Sequence, residues 1–385
     1  MIPLSYDDTK LGFYYKFVSD FKDYLAKAVK KGYLGNRCDK KVSDWKSYYA
    51  GLNAYQQTQF KAVLNIPDWN ALPDGDLVKC SDKILDEETK KFFEWLLEKE
   101  DDEYDRLDKL VDAPAEELPN RIPVIKNSFN TFAKDETKPL KNKSALYKLT
   151  LEAFRDYAYA GKLDKGKLFE ATNATVCPYC NRVFIANVRT TRRDKNDKIQ
   201  PTEVRGELDH FYSKDTYPYL AISRYNLVPS CPFCNHTKSD GDSSKLVNPY
   251  CLDSHEHLRF DMAITGSGFA NMETCAKAIT IAPHSDAVMK GNVEMFHIED
   301  IYKTHTDYAA EIYYKHILPR PLEYKEYVSK FFASKGMPLN AEDEQRLLLG
   351  IYPPSEFSKR PLSKLRYDLA KNYGLIEEPT TKSLF

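Results

Sequence analysis

The chain has 385 residues, 42% hydrophobic and 13% aromatic, enough for two or three domains with packed cores. Lysine and arginine (56) nearly balance aspartate and glutamate (57), and the net charge of −1 by itself argues against a general nucleic-acid coat protein. No apolar run approaches the ~20 residues of a membrane span, and the opening Met1-Ile2-Pro3-Leu4 lacks the basic and apolar regions of an export signal. A cytoplasmic protein is expected, with no membrane association and with its eight cysteines reduced rather than paired.

Residues 1–35 read as a loop and then a helix, with Phe17, Phe21, Tyr24 and Leu25 at helical spacing. Residues 42–65 read as one helix or two, with Trp45, Tyr48 and Leu52 on one stripe, stopped by Pro67 and Pro73. Residues 84–110 read as an acidic helix whose Phe92, Phe93, Leu96 and Leu97 face a core. Within residues 86–119 there are fourteen acidic and five basic side chains, the pattern of a solvated face, and Pro114, Pro119 and Pro123 read as a linker. A strong helix is predicted over 144–160, from Leu146, Leu149, Ala153, Phe154 and Tyr157.

Strands are predicted at 181–189 and 203–211, joined by a turn at Lys195-Asn196-Asp197-Lys198. Residues 182–205 hold seven basic and three acidic side chains, a local patch of the sort phosphate contact requires. A strand is expected from Asn226 to Ser230, then a short helix opening at Asn235 and ending near Ser239-Asp240-Gly241. Residues 255–297 read as β-rich, with a turn at Gly266 and Gly268. Cys251, His255 and His257 invite a second metal reading, but Cys251 reads as a buried structural thiol, the alternating His255 and His257 as ordinary surface, and His305 as a satisfied core histidine. Helices at 298–317, 321–334, 341–350 and 360–374 complete the chain, which contains no P-loop.

The chemistry concentrates between Cys177 and Asp240. Cys177-Pro-Tyr-Cys180 and Cys231-Pro-Phe-Cys234 are two knuckles about fifty residues apart, and four thiolates so spaced suit a closed tetrahedral zinc site. The alternative is a set of buried or redox cysteines. Between the knuckles Asp209 and His210 are adjacent. An aspartate oxygen suits Mg²⁺ or another hard cation, and a neutral imidazole takes a proton from water near neutral pH. Asn226 and Asn235 follow, able to orient an imidazole or to offer an amide oxygen to a metal. Lys238 lies three residues after Asn235, on the same side of a helix, where a cation meets a phosphate. Arg182 and Arg205, in the basic stretch, are the other phosphate candidates.

Asp209-His210, then Asn226-Leu227, then Cys231-x-x-Cys234-Asn235-x-x-Lys238 resembles the HNH endonucleases, most closely the subgroup stapled by two Cys-x-x-C knuckles. Tyr217-Pro-Tyr-Leu220 and Asn248-Pro-Tyr250 are similar to the HNH nuclease component of Septu-type anti-phage systems and related retrons. The resemblance covers residues 177–250. It implies an α+β fold: a ββα-metal core with a structural zinc, within a nuclease domain at 144–297, flanked by helical regions at 1–143 and 298–385.

It further implies His210 as general base, Asp209 and Asn235 as ligands of a catalytic Mg²⁺ or Mn²⁺, and Asn226 as support for the base and its loop. His236 is the register alternative to Asn235. The implied activity is hydrolysis of DNA phosphodiester bonds by a defence nuclease working with an ATPase partner. One such site cuts one strand, so a homodimer is one route to double-strand cleavage. A stand-alone restriction-type nuclease, or a zinc-stabilised subunit that binds or assembles without cutting, are the rivals. Where many relatives carry a proline after Asp-His, this chain reads Phe211-Tyr-Ser-Lys214, which bears on loop shape.

Overall fold

The computed structural model of the chain describes residues 1–376 apart from 173, 196, 240, 267–270 and 318–320. Asn196, Asp240 and Gly268, expected in turns, therefore lie outside the described residues. Helices and two-stranded antiparallel sheets make this an α+β chain. The structure divides into two compact units, residues 8–168 with 210–228, and residues 1–7 with 169–209 and 229 onward.

The first unit opens with α1 (Gly12–Lys31), which buries Tyr14, Phe17, Phe21 and Leu25 along one face and ends at Gly32 in the left-handed region (φ 78°). Strand β1 (Cys38–Lys41) leads into α2 (Val42–Ala50) and α3 (Ala54–Leu64). The expected 42–65 helix is thus two, because Asn53 starts a new one: its Oδ1 accepts the Gln56 N–H at 2.9 Å. Strand β2 (Leu77–Cys80) pairs antiparallel with β1. Beside them Trp45, Phe60, Val63 and Trp69 form one buried cluster.

The acidic segment is also two helices, α4 (Glu87–Leu97) and α5 (Arg106–Val111). Glu100 to Glu103 place like charges side by side in the interval, and Asp105 caps a fresh start by accepting the Asp108 N–H at 2.9 Å. The linker read at Pro119 and Pro123 is instead α6 (Leu118–Ser128), followed by α7 (Asn130–Asp135). Pro119 sits in the first turn, where no N–H is needed. Burial of Leu118, Ile122 and Ile125 overrides the cost of Pro123 inside the helix. The helix expected over 144–160 forms as α8 (Ala145–Leu151) and then widens into a π-helical stretch, Glu152–Ala160. Short α9 (Lys165–Ala171) follows.

This helical scaffold holds residues 210–228. The Tyr14 hydroxyl donates to the Ile222 carbonyl at 2.7 Å, and Ser223 Oγ to the Leu110 carbonyl at 3.0 Å. Tyr217 donates to Glu136 at 2.8 Å, Arg155 to Asp215 at 2.9 Å, and buried Arg224 pairs with Asp8 at 3.0 Å and with Asp112.

In the second unit the strand expected from residue 181 begins only at Val188. Residues 177–181 are a knuckle closed by Asn181 N–H to Cys177 O at 2.8 Å, with Asn181 left-handed at φ 50°. Strands β3 (Val188–Arg193) and β4 (Ile199–Val204) form an antiparallel ribbon. The predicted return strand is broken at Arg205-Gly206, after which β5 (Glu207–His210) forms a two-stranded sheet with β6 (Leu227–Ser230). Gly206 is required there: a Cβ would lie 2.7 Å from Ile185 Cβ and 2.8 Å from the Ser230 carbonyl. Helix α10 (Pro232–Lys238) starts three residues earlier than expected, capped by Cys231.

Strands β7 (Leu258–Ile264) and β8 (Ile279–Ser285) pair antiparallel, as the β-rich reading expects, with α11 (Met272–Lys277) in the connection. There follow α12 (Lys290–Met295), α13 (Ile298–Tyr302), α14 (Thr306–Ile317), α15 (Pro321–Ser334), α16 (Ala341–Leu349) and α17 (Ser363–Asn372). The 298–317 helix is split by a 3₁₀ turn at Lys303–His305. Helix α17 and the 3₁₀ turn before it are tied to the first knuckle: Asn181 Nδ2 donates to Phe357 O in the turn at 2.8 Å, and its Oδ1 accepts the Lys364 N–H in the helix at 3.1 Å.

Candidate metal and catalytic site

Cys177 and Cys180 sit on the knuckle closed by Asn181, Cys231 and Cys234 on the first turn of α10. All four are buried, and their Sγ atoms lie within 4.8 Å of one another, with Cys180 and Cys231 at 3.9 Å. Tetrahedral coordination at a Zn–S distance of about 2.3 Å puts sulfurs roughly 3.8 Å apart. Burial pushes the Cys177 thiol far above its ordinary value. Thiolates packed this closely in an apolar setting need a cation, so the donor set and its spacing suit zinc. The knuckle is braced by the Tyr302 hydroxyl, which donates to Cys180 O at 2.6 Å, and by the stacking of Tyr179 on Phe296 at 4.4 Å.

The cysteine frame reaches Asp209 directly. Tyr179, between the two cysteines of the first knuckle, donates its hydroxyl to Asp209 Oδ2 at 2.7 Å. Lys238, at the end of α10, donates to Oδ1 at 3.1 Å. Asp209 and Lys238 are 3% and 1% exposed, so their attraction is little screened. Burial, then the Asp209 charge, holds the Tyr179 phenol well above its usual range, so it stays a donor.

Asn235, one turn before Lys238, donates from Nδ2 to Glu207 Oε2 at 2.6 Å, which leaves Oδ1 as its ligand atom. His236 Nε2 lies 3.5 Å from the other Glu207 oxygen, with its ring largely exposed. Glu207 carries no motif signal of its own in the sequence. It lies two residues before Asp209 on β5, and strand alternation puts both carboxylates on one face. Carboxylate and amide oxygens of this kind suit a hard divalent cation such as Mg²⁺.

In the other unit, His210 is buried and its Nε2 lies 3.0 Å from the Ala221 carbonyl. A carbonyl only accepts, so the proton of the neutral ring is on Nε2 and the lone pair on Nδ1. The Tyr159 ring meets the imidazole edge-on at 4.5 Å. Asn226 is fully buried. Its Oδ1 accepts the Tyr212 N–H at 2.7 Å, and its Nδ2 donates to Tyr212 O at 3.1 Å and Leu220 O at 3.0 Å. One side chain thus closes the 212–220 loop and fixes the peptide next to the carbonyl that holds His210. That carbonyl, like the Tyr159 ring, has no side-chain signal in the sequence.

The two arginines are engaged within their own unit. Arg182 Nε donates to His305 Nε2 at 2.7 Å. Burial, then the Arg182 charge, lowers the His305 pKa, and the ring is the satisfied histidine expected. Arg205 pairs with Glu203 at 3.1 Å and donates to Gly206 O at 3.0 Å.

No protein-family model matches the chain, and no solved structure matches it. The sequence is similar to Septu protein PtuB from Bacillus thuringiensis, 37% identical over 110 residues. That stretch is 28% of this chain and spans 37% of the length of its relative. Among the described residues no helix is long and apolar enough to cross a membrane.

Proposed function

We propose that this chain is a metal-dependent HNH endonuclease that hydrolyses DNA phosphodiester bonds within an anti-phage defence system, alongside an ATPase partner. The observation that carries the reading is the hydrogen bond from His210 Nε2 to the Ala221 carbonyl, which keeps Nδ1 as the basic nitrogen of a neutral imidazole. His210 takes a proton from water at Nδ1 as the water attacks phosphorus in line. Asp209 and Asn235 would hold Mg²⁺ or Mn²⁺, whose charge stabilises the developing alkoxide. Tyr179 and Lys238 orient the Asp209 carboxylate, Asn226 orients the His210 loop, and zinc on the four cysteines fixes the frame. The similarity to Septu protein PtuB supports the defence role.

A second reading, a zinc-stabilised subunit that does not cut, draws support from the buried Lys238–Asp209 pair, which already neutralises the carboxylate. Cleavage of supercoiled plasmid with Mg²⁺ or Mn²⁺, with EDTA, and beside His210→Ala, separates the two. Metal-dependent nicking lost in the variant supports the nuclease. Equal cleavage by the variant removes His210 as base, and no cleavage even with the ATPase partner added favours the second reading.

A further inference from the structure

The β3–β4 ribbon is exposed along all of β3, and strand alternation gives it two unlike faces. Arg189 stands opposite Glu203, and Thr190 opposite Thr202, in an unbroken register from Val188 to Val204. One face carries Arg189, Thr191, Arg193, Ile199 and Glu203. Its cations are matched: Arg189 lies 3.6 Å from Glu203 and 3.7 Å from Glu170, and Arg193 lies 3.0 Å from Asp197. The other face carries Val188, Thr190, Arg192, Thr202 and Val204, with no acidic residue. Arg192 on this face, and Lys195 and Lys198 at the tip, make no ion pair with any described residue.

We infer that this second face is a double-stranded DNA contact that enters the major groove, with Arg192, the threonines and the valines toward base edges and Lys195 and Lys198 against phosphates. The inference rests on the proposed nuclease reading for its substrate. Two strands ~4.8 Å apart with their side chains match a B-form major groove about 12 Å wide, which admits a two-stranded ribbon. Arginine reads guanine there, and threonine and valine methyls meet the thymine methyl. The deep, narrow major groove of A-form RNA admits no such ribbon. Unpaired cations beside apolar groups complement a polyanion with a readable edge better than they complement a protein surface. The ribbon is also close in sequence to the chemistry: only Arg205-Gly206 separate the end of β4 at Val204 from β5, which carries Asp209.

The test is binding of a short fluorescent DNA duplex to the full chain in buffer without added Mg²⁺ or Mn²⁺, where no cleavage intervenes and the cysteine site keeps its metal. Arg192→Ala/Lys198→Ala is compared with Arg193→Ala, from the ion-paired face. The double variant loses about tenfold or more in affinity, and its salt slope shrinks by about two. Arg193→Ala stays within about twofold, and zinc content and melting temperature are unchanged in both. Undiminished binding by the double variant, an equal loss in Arg193→Ala, no duplex binding at all, or the same ribbon dependence on single strands or RNA each overturns the inference. Plasmid nicking is scored in parallel. Ribbon-dependent binding without nicking sinks the nuclease reading alone, and nicking that ignores the ribbon sinks this inference alone.

Discussion

The Tyr179 hydroxyl donates to Asp209 Oδ2 at 2.7 Å, joining the middle of a cysteine knuckle to a candidate metal ligand thirty residues away. The four-cysteine frame and the carboxylate are therefore mechanically one object. Tyr179 is fully buried, so its hydroxyl has no water to turn to. Tyr179→Phe keeps the stacking on Phe296 and removes only this bond. Expected are a folded protein with unchanged zinc content, a stability loss of about 1–3 kcal/mol, and nicking slowed by about tenfold through a mispositioned Asp209. Metal analysis, thermal melting and plasmid cleavage check it. Full activity would mean that Lys238 alone orients the carboxylate.

Zinc removal acts on the same frame more severely. Cys231 both contributes a sulfur and caps α10, the helix that carries Asn235 and Lys238. Elemental analysis is expected to give about one zinc per chain. Cys231→Ser, or a strong chelator, releases it and lowers the melting temperature, because binding energy at a structural zinc is folding energy. A protein purified without zinc and melting identically after chelation would return the cluster to ordinary buried thiols.

The sequence discloses the parts whose cause is local. The Phe17, Phe21 and Leu25 stripe is α1, and the two Cys-x-x-C spacings are the one cluster of four metal-competent side chains among the described residues. What stays hidden is long-range. Strand β1, Cys-Asp-Lys-Lys, has poor strand propensity and forms because β2, 36 residues later, pairs with it. Pro119 and Pro123 mimic a linker because the burial that makes them helical is tertiary. At the site, Asp209 and His210 declare themselves by adjacency. The groups that orient them, the Tyr179 phenol and the Ala221 carbonyl, are distant in sequence or belong to the backbone. Lys238 reads as a phosphate contact from its helix position alone, and only the fold shows it buried on Asp209.

His257, read from sequence as surface, sits between two carboxylates: Nδ1 is 2.6 Å from Asp286 and Nε2 2.7 Å from Asp253. Hydrogen bonds to Asp286 and then Asp253 raise its pKa, and the bond to His257 lowers both carboxylates. The raised imidazole contributes stability fully below the unfolded histidine value of about 6.5 and loses it as pH rises through the folded value. The depressed carboxylates contribute above their unfolded value of about 4 and lose it as pH falls through their folded values. His257→Gln should therefore lower the melting temperature most between about pH 4 and 6.5, and little at alkaline pH. A difference that does not vary with pH would show that the triad is screened into insignificance.

The Lys238–Asp209 pair decides between the two functional readings, because a buried carboxylate demands a cation and the two readings supply different ones. Lys238→Met keeps the volume and removes the charge. With both groups almost fully buried, the cost of leaving Asp209 uncompensated is about 3–5 kcal/mol. If Asp209 is a metal ligand, Mg²⁺ takes over the neutralisation, and the melting temperature of the variant rises steeply with millimolar Mg²⁺ while that of the unaltered chain rises little. If the pair is purely structural, Mg²⁺ moves neither. Asp209→Asn/Lys238→Met provides the closing control. It removes both charges at similar shape, recovers most of the lost stability, and should be indifferent to Mg²⁺ under either reading. A Mg²⁺ response that persists in this double variant would place the ion elsewhere in the chain.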